Sequence, residues 1–222
     1  MSPLVRFEQV SKDYIAERER VHALSEISLE VTTGEFVAFM GRSGCGKSTL
    51  LNLAGAMDFP SSGTVWLDGK STTGLSDAAL TRVRRETVGF VFQSFQLLQN
   101  MTVAENVELP LLLAGAPYAR KKALETLAWV ELAGYGDRLP HQLSGGQMQR
   151  AGIARALVHS PKLLLADEPI GNLDSNTGDV VLSLLRRSAD ERKTTILMAT
   201  HSEESTQFCD RVIRLRDGRI VT

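Results

Sequence analysis

Two short glycine-rich runs carry the chemistry that this sequence announces, Gly41-Arg42-Ser43-Gly44-Cys45-Gly46-Lys47-Ser48-Thr49 and Leu143-Ser144-Gly145-Gly146-Gln147. The first fits G-x-x-x-x-G-K-[ST] and lies between a predicted strand and a predicted helix. Glycines let successive backbone N–H groups curl around phosphates, the helix N-terminus adds partial positive charge, and Lys47 reaches the outer phosphates. The Ser48 hydroxyl suits Mg²⁺. Cys45 reads as a small side chain in a tight loop rather than a redox group. The second run opens a helix whose exposed amides form a generic anion site. Two separate phosphate-grade loops raise a question: does one ATP need both, and can both reach it within one molecule?

Acidic and polar residues at predicted strand ends supply the remaining chemistry. Leu163-Leu164-Leu165-Ala166-Asp167-Glu168-Pro169 is an apolar strand delivering two carboxylates at its C-terminal edge. Asp167 is placed to act on Mg²⁺ directly or through its water, and Glu168 to polarise an attacking water as general base. Ile196-Leu197-Met198-Ala199-Thr200-His201 repeats the geometry and ends in a histidine placed to hydrogen-bond a γ-phosphate. His22, His141 and His159 show no comparable placement. Gln93, ending the Phe90-Val91-Phe92 strand, is a third ligand for Mg²⁺ and water.

The elements that must position these groups follow from patterning. Val5, Phe7 and Val10 begin an extended stretch, Ile27–Val31 alternates at period two, and Glu17-Arg18-Glu19-Arg20 between them reads as a solvated loop tip. Phe36–Met40 and Val88–Phe92 are continuous apolar runs typical of buried strands, and Gly63–Gly69 is a short strand ending in an Asp-Gly turn. From Gln93 to about Val158 the strand signal gives way to helices at Ala104–Leu113, Ala119–Leu132 and Gly145–Val158. Strands return at Leu163–Ala166, Thr195–Ala199 and Val212–Arg216, with a helix around Thr177–Asp190. Such alternation implies a largely parallel sheet covered by helices, interrupted by a helical insert.

Bulk properties narrow the classes. The 222 residues carry 25 Lys+Arg against 26 Asp+Glu, a formal charge of -1, so there is no electrostatic footprint for nucleic acid. Cys45 and Cys209 make no disulfide framework, which sets a reducing cytosolic compartment as the expectation. Met1–Phe7 shows no signal-peptide core, and the apolar stretch from Val107 to Gly115 is far too short to span a bilayer.

Together these motifs resemble an ABC-superfamily ATPase, specifically the nucleotide-binding subunit of an ABC transporter. Gly41–Thr49 resembles Walker A, Leu163–Glu168 Walker B, and Leu143–Gln147 the family signature. Gln93 and His201 match the Q-loop and H-loop, and Asn172-Leu173-Asp174 the D-loop. Tyr14 sits where the family has an aromatic that stacks on adenine; a plain sheet-edge aromatic is the other reading. Leu75-Ser76-Asp77, Arg84-Arg85, Gly89–Gln93, Glu105-Asn106-Val107, Pro140-His141-Gln142 and Gly171–Ser175 resemble the lipoprotein-release and macrolide-efflux branch. Cys45, Ile170 and Ser202-Glu203 depart from that branch's usual pattern and leave the cargo open.

The resemblance implies a P-loop NTPase core of α/β class at 1–93 and 159–222, with an N-terminal antiparallel β region and a helical subdomain inserted at 94–158. It further implies a head-to-tail homodimer in which Ser144, Gly145, Gly146 and Gln147 of one chain cap ATP held by Gly41–Thr49 of the other, Asp174 crossing between the two sites. A separate membrane permease would hold the subunit at the cytoplasmic face of the inner membrane. Its docking groove would lie near Gln93–Asn106, where Phe95, Leu97, Leu98 and Met101 either face the permease or pack the insert. A non-transport ABC ATPase acting in DNA repair or on ribosomes is the alternative; the short insert without heptads and the single cassette argue against it. A phosphate-loop kinase is a third class, against which the signature and His201 argue. Replacing Lys47 with alanine removes a charged hydrogen-bond donor to phosphate, and ATP affinity is expected to fall by about 10- to 100-fold in equilibrium titration.

Overall fold

Residues 3–16 and 19–221 are described by a computed structural model. Strands β1 (Val5–Ala16) and β2 (Glu19–Val31) form a long antiparallel hairpin, paired from Val5↔Val31 out to Ala16↔Glu19. Glu19 and Arg20 are therefore strand residues, not a loop tip; Glu17 and Arg18 lie outside the described residues. The chain continues through β3 (Phe36–Met40), α1 (Lys47–Ala54), β4 (Ser62–Leu67), β5 (Lys70–Ser71), α2 (Asp77–Thr87) and β6 (Val88–Val91). Helices α3 (Val103–Leu113), α4 (Ala119–Trp129) and α5 (Gly145–Leu157) follow without a strand. Then come β7 (Leu163–Asp167), α6 (Ser175–Arg192), β8 (Thr195–Thr200), β9 (Arg211–Arg216) and β10 (Arg219–Val221).

Two sheets result. The larger has the order β10-β9-β3-β8-β7-β6 and is parallel except for β10, which pairs antiparallel with β9. The smaller is antiparallel, β2-β1-β4-β5. The large sheet is covered on both faces, so the middles of its central strands are continuously apolar instead of alternating. Phe36 and Ala38, Leu164 and Ala166, Ile196 and Met198 face a core shared with α3, α4, α5 and α6. Their neighbours Val37 and Phe39, Leu163 and Leu165, Leu197 and Ala199 face the other way, against Leu50, Leu51 and Leu53 of α1 and the small sheet. Helix α1 is thus sandwiched between two sheets, and the phosphate loop preceding it is anchored on both sides.

Three departures from the sequence reading have local causes. Helix α2 is missed because it is polar overall and buries only Leu80; its start is nevertheless marked by Ser76, which accepts the Ala79 N–H. Helix α4 stops at Trp129 rather than Leu132, since Glu131 turns left-handed (φ 62°) and the Leu132 N–H closes on the Leu127 carbonyl. Strand β10 is three exposed residues with no apolar run to reveal it. Helix α5 packs so closely on β6 that a Cβ at Gly89 would strike the Ala156 carbonyl. Gly89→Ala should therefore cost about 1–3 kcal/mol, lowering the calorimetric Tm by several degrees.

Candidate functional site

Strand register brings the scattered polar residues to one edge. Met40 pairs with Thr200 and Asp167 with Ala199, so Gly41, Glu168 and His201 all leave the C-terminal ends of adjacent parallel strands. In open parallel sheets that edge is where ligands bind. It holds a cleft of about 690 Å³ lined by Val21, His22 and Ala23 of β2, by Arg42, Ser43, Gly44, Gly46, Lys47, Ser48 and Thr49, and by Gln93, Asp167, Glu168 and His201.

The loop from Gly41 to Thr49 is built around the Lys47 ammonium. Lys47 is only 7% exposed and donates to the carbonyls of Gly41 (2.8 Å) and Arg42 (3.2 Å), while Glu168 Oε1 lies 3.9 Å away. Gly46, the residue capping α1, needs a left-handed φ of 106°, and a Cβ there would press on Ala23 O and Leu24. Cys45 is buried with its sulfur against Gly41, as expected of a small filler. Ser48 leaves its hydroxyl exposed and donates to Asp167 Oδ1 at 3.2 Å.

Asp167, Glu168 and His201 form a contiguous set. Desolvation raises the Asp167 pKa above the ordinary carboxylate value, with the neighbouring Glu168 charge adding to it against the Ser48 and Lys47 contributions. Glu168 holds a left-handed backbone (φ 48°), its N–H bonded to Ala199 O at 3.0 Å. That geometry turns the side chain into the cleft between Lys47 and His201, whose Nδ1 lies 2.9 Å from Glu168 Oε2. Non-glycine residues at positive φ gather where a side chain must be aimed. Gln93 is exposed two residues beyond the end of β6, which stops at Val91, and its carbonyl accepts from Asn172 Nδ2 at 3.2 Å.

The donor set fits a hard divalent cation that arrives with phosphate. Ser48 Oγ, one Asp167 carboxylate and the Gln93 amide oxygen are all oxygen donors around one cleft. Among the described residues no cluster of three His, Cys, Asp or Glu side chains makes a closed metal cage. Mg²⁺ commonly takes one or two carboxylates and completes its shell with substrate phosphates and water. A cation there would also relieve the raised Asp167 pKa.

Not all expected residues reach this cleft. None of Ser144, Gly145, Gly146 and Gln147 lines it. Ser144 caps α5 in a reciprocal box, its Oγ accepting the Gln147 N–H and its own N–H donating to Gln147 Oε1. The Gln147 side chain is thereby committed to its own helix and to Tyr135. Gly146 has no room for a Cβ because Thr177 at the start of α6 fills the space. Asp174 caps α6, accepting from Thr177 N–H (3.0 Å) and Thr177 hydroxyl (2.7 Å), bonds that hold its pKa below the usual value. Tyr14 is also outside the cleft lining, at its rim beside Val21.

Other residues prove more central than their sequence signal. His22 lines the cleft, contrary to the expectation that it has no special placement, and its Nδ1 is 2.7 Å from Asp13 Oδ1. Fully buried Gln149 donates through Nε2 to Phe92 O and Pro169 O, touching the residues adjoining Gln93 and Glu168. Its only sequence mark was a polar residue on the inward face of the helix after the signature. Arg155 grips the carbonyls of Phe95 and Gln96. Of the four apolar residues near Gln93, Leu97 is buried, Phe95 and Met101 half-buried, and Leu98 exposed.

The Asp167 shift has a measurable consequence. A folded-state pKa above the unfolded value means that the charge detracts from stability at neutral pH, and that the deficit disappears below the ordinary carboxylate range. Asp167→Asn keeps an acceptor for Ser48 and should raise the Tm of the nucleotide-free chain at pH 7 by on the order of a degree or two. The gain should vanish in melts recorded at about pH 3.5.

Comparison with known proteins agrees with this geometry. The sequence profile of the ABC transporter family matches residues 24–171. The lipoprotein-releasing system ATP-binding protein LolD of Geobacter metallireducens is 46% identical, across 100% of this chain and 99% of LolD. The macrolide export ATP-binding/permease protein MacB of Brucella melitensis is 44% identical across 100% of this chain, which spans 34% of MacB. A dimeric post-hydrolysis structure of the ATP-binding cassette MJ0796, bound to ADP and Pi, superposes with a TM-score of 0.91 at 43% identity, covering 98% of this chain and 97% of that one. With a Walker-type loop, an acidic strand end and a histidine converging on one cleft, the chain belongs to the ABC transporter family, as one of its ATP-binding, ATP-hydrolysing subunits.

Proposed function

We propose that this chain binds and hydrolyses Mg-ATP as half of a head-to-tail pair with a second copy, and that the pair drives a separate membrane permease. The observation that carries the reading is the separation of the two anion-grade loops. Lys47, Ser48, Asp167 and Glu168 share one cleft, whereas Ser144, Gly145 and Gly146 stand outside it with Ser144 exposed. Each chain then offers a phosphate loop for one nucleotide and a signature for its partner's.

The residues divide the work as follows. Amides of Gly41–Thr49 cradle the phosphates, with Arg42, Ser43, Gly44, Cys45, Gly46 and Thr49 shaping the loop, and Lys47 leaves its carbonyl partners for the outer phosphates. Ser48, Asp167 and Gln93 would hold Mg²⁺, which when bound neutralises phosphate charge and templates the leaving group. Tyr14 would stack on the base. Glu168 accepts the proton of the attacking water, and His201, bonded to Glu168, keeps the two aligned. Ser144 and the first-turn amides of the partner's α5 bind the terminal phosphate, while Gln147 holds that turn in shape and Asp174 joins the two sites. Loss of the terminal phosphate removes what those amides grip, so the pair opens.

The relatives support a permease partner and suggest classes of cargo. Their names, macrolide export and a lipoprotein-releasing system, favour a transport role over DNA repair or ribosome action. On our reading the pair serves extraction or export of a lipoprotein, peptide or drug, and the permease holds it at the cytoplasmic face of the inner membrane. Among the described residues no helix is long and apolar enough to cross a membrane. Glu168→Gln should lower turnover by about 100- to 1,000-fold while leaving binding intact, so the variant elutes as a dimer in size-exclusion chromatography with Mg-ATP and as a monomer without it. A Glu168→Gln protein that stays monomeric with saturating Mg-ATP, or turns over at the native rate, would overturn the reading.

A further inference from the structure

A second buried ammonium lies beside the cleft, outside the machinery described so far. Lys12 on β1 has a side chain only 12% exposed, although lysine normally keeps its head group in water. Its Nζ donates two hydrogen bonds and lies over an aromatic ring. Asp58 Oδ1 lies at 2.7 Å, Phe59 O at 2.8 Å, and the Tyr14 ring centroid at 4.7 Å from Nζ. Asp58 follows α1, the helix that begins at the phosphate loop, and its other oxygen accepts the Tyr14 hydroxyl at 2.8 Å. Tyr14 is therefore fixed at both ends, its hydroxyl held by a carboxylate and one ring face covered by a cation.

Part of the ring stays open beside the cleft. Tyr14 pairs directly with Val21 across the hairpin, so their side chains share a face, and Val21 lines the nucleotide cleft. The ring remains 37% exposed. Burial and the bond to Asp58 hold the phenol pKa above its ordinary value, keeping the hydroxyl a neutral donor. A cation behind an aromatic ring draws π density toward itself, which weakens repulsion between the opposite face and the π cloud of a purine.

We propose that Lys12 and Asp58 are positioning residues for the nucleobase: they lock Tyr14 as a platform, with the Lys12 cation on its back face and the purine on its front. The proposal rests on the reading that Tyr14 stacks on the base, and it adds that the platform works only when backed by this pair. Preorganisation of this kind raises affinity without adding a contact to the ligand. Lys12 touches no reacting atom, so its effect belongs in binding and not in the chemical step.

The experiment compares ATP with inorganic tripolyphosphate, which has the phosphates but no base, in equilibrium binding to the full chain. Lys12→Met is expected to weaken ATP binding about three- to tenfold, raising KM with kcat at saturation within about twofold, and to leave tripolyphosphate binding unchanged. Asp58→Asn should behave alike, and Lys12→Arg, which keeps a cation over the ring, should restore ATP affinity to within about twofold. Tyr14→Ala is the control for the underlying reading. If Tyr14→Ala weakens ATP relative to tripolyphosphate but Lys12→Met and Asp58→Asn do not, the proposal falls and the stacking survives. If Tyr14→Ala treats both ligands alike, the stacking reading falls and takes the proposal with it. If Lys12→Met weakens both ligands equally, the cluster is a brace of the fold and the proposal is overturned.

Discussion

A nearly buried ammonium sets the terms for everything around it. Withdrawing a charge from water costs several kcal/mol unless it is fully bonded, and Lys47 meets that demand with the carbonyls of Gly41 and Arg42 and the nearby Glu168 carboxylate. The loop must curl to present those carbonyls, which is why glycines stand at its left-handed turns. Glu168 must reach in from a strand far away in the chain, which its left-handed backbone allows. The arrangement is a cradle formed around a stand-in for its ligand: backbone oxygens occupy a cation that phosphate oxygens are better suited to claim. Preformed donors of this kind need little rearrangement when the anion arrives.

Helix α5 joins the exposed signature turn to the loops beside the cleft. Its N-terminal turn carries the exposed Ser144 and the amides of Gly145 and Gly146, while its interior face carries Gln149 and Arg155. Gln149 bonds the carbonyls next to Gln93 and next to Glu168, and Arg155 bonds two carbonyls of the segment after Gln93. Phe95 and Gln96 in that segment hold positive φ, a conformation that these arginine bonds help to keep. The helix that starts at the signature turn is thus bonded directly to the loops beside the cleft. Buried Asn106 anchors the far end of the same segment through Leu98, Met101 and Thr102.

Much of this molecule is legible as text because its strongest signals are local. Phe36–Met40, Leu163–Ala166 and Thr195–Ala199 are strands because both faces of the sheet are covered, and continuous burial writes a continuous apolar run. The phosphate loop is legible because its backbone shape excludes most side chains at fixed positions. The same logic explains the misses. Helix α2 buries one residue in a strongly polar segment and β10 buries none, so neither writes an apolar run.

What the amino-acid sequence determined by itself was the inventory: which loop has the glycines and lysine suited to phosphate, which strands end with carboxylate or imidazole, and which residues cap helices. What only the tertiary structure decided was the company they keep. Ser48 and Asp167 are 119 residues apart, and Tyr14 and Asp58 are 44 apart. The pairing of the first hairpin decides that Val21, His22 and Ala23 of β2 line the cleft. Likewise the fold, and not the motif, withholds Ser144 from its own chain's cleft. Side-chain chemistry and backbone permissiveness are properties of a few adjacent residues, whereas proximity between distant segments depends on packing the whole chain at once.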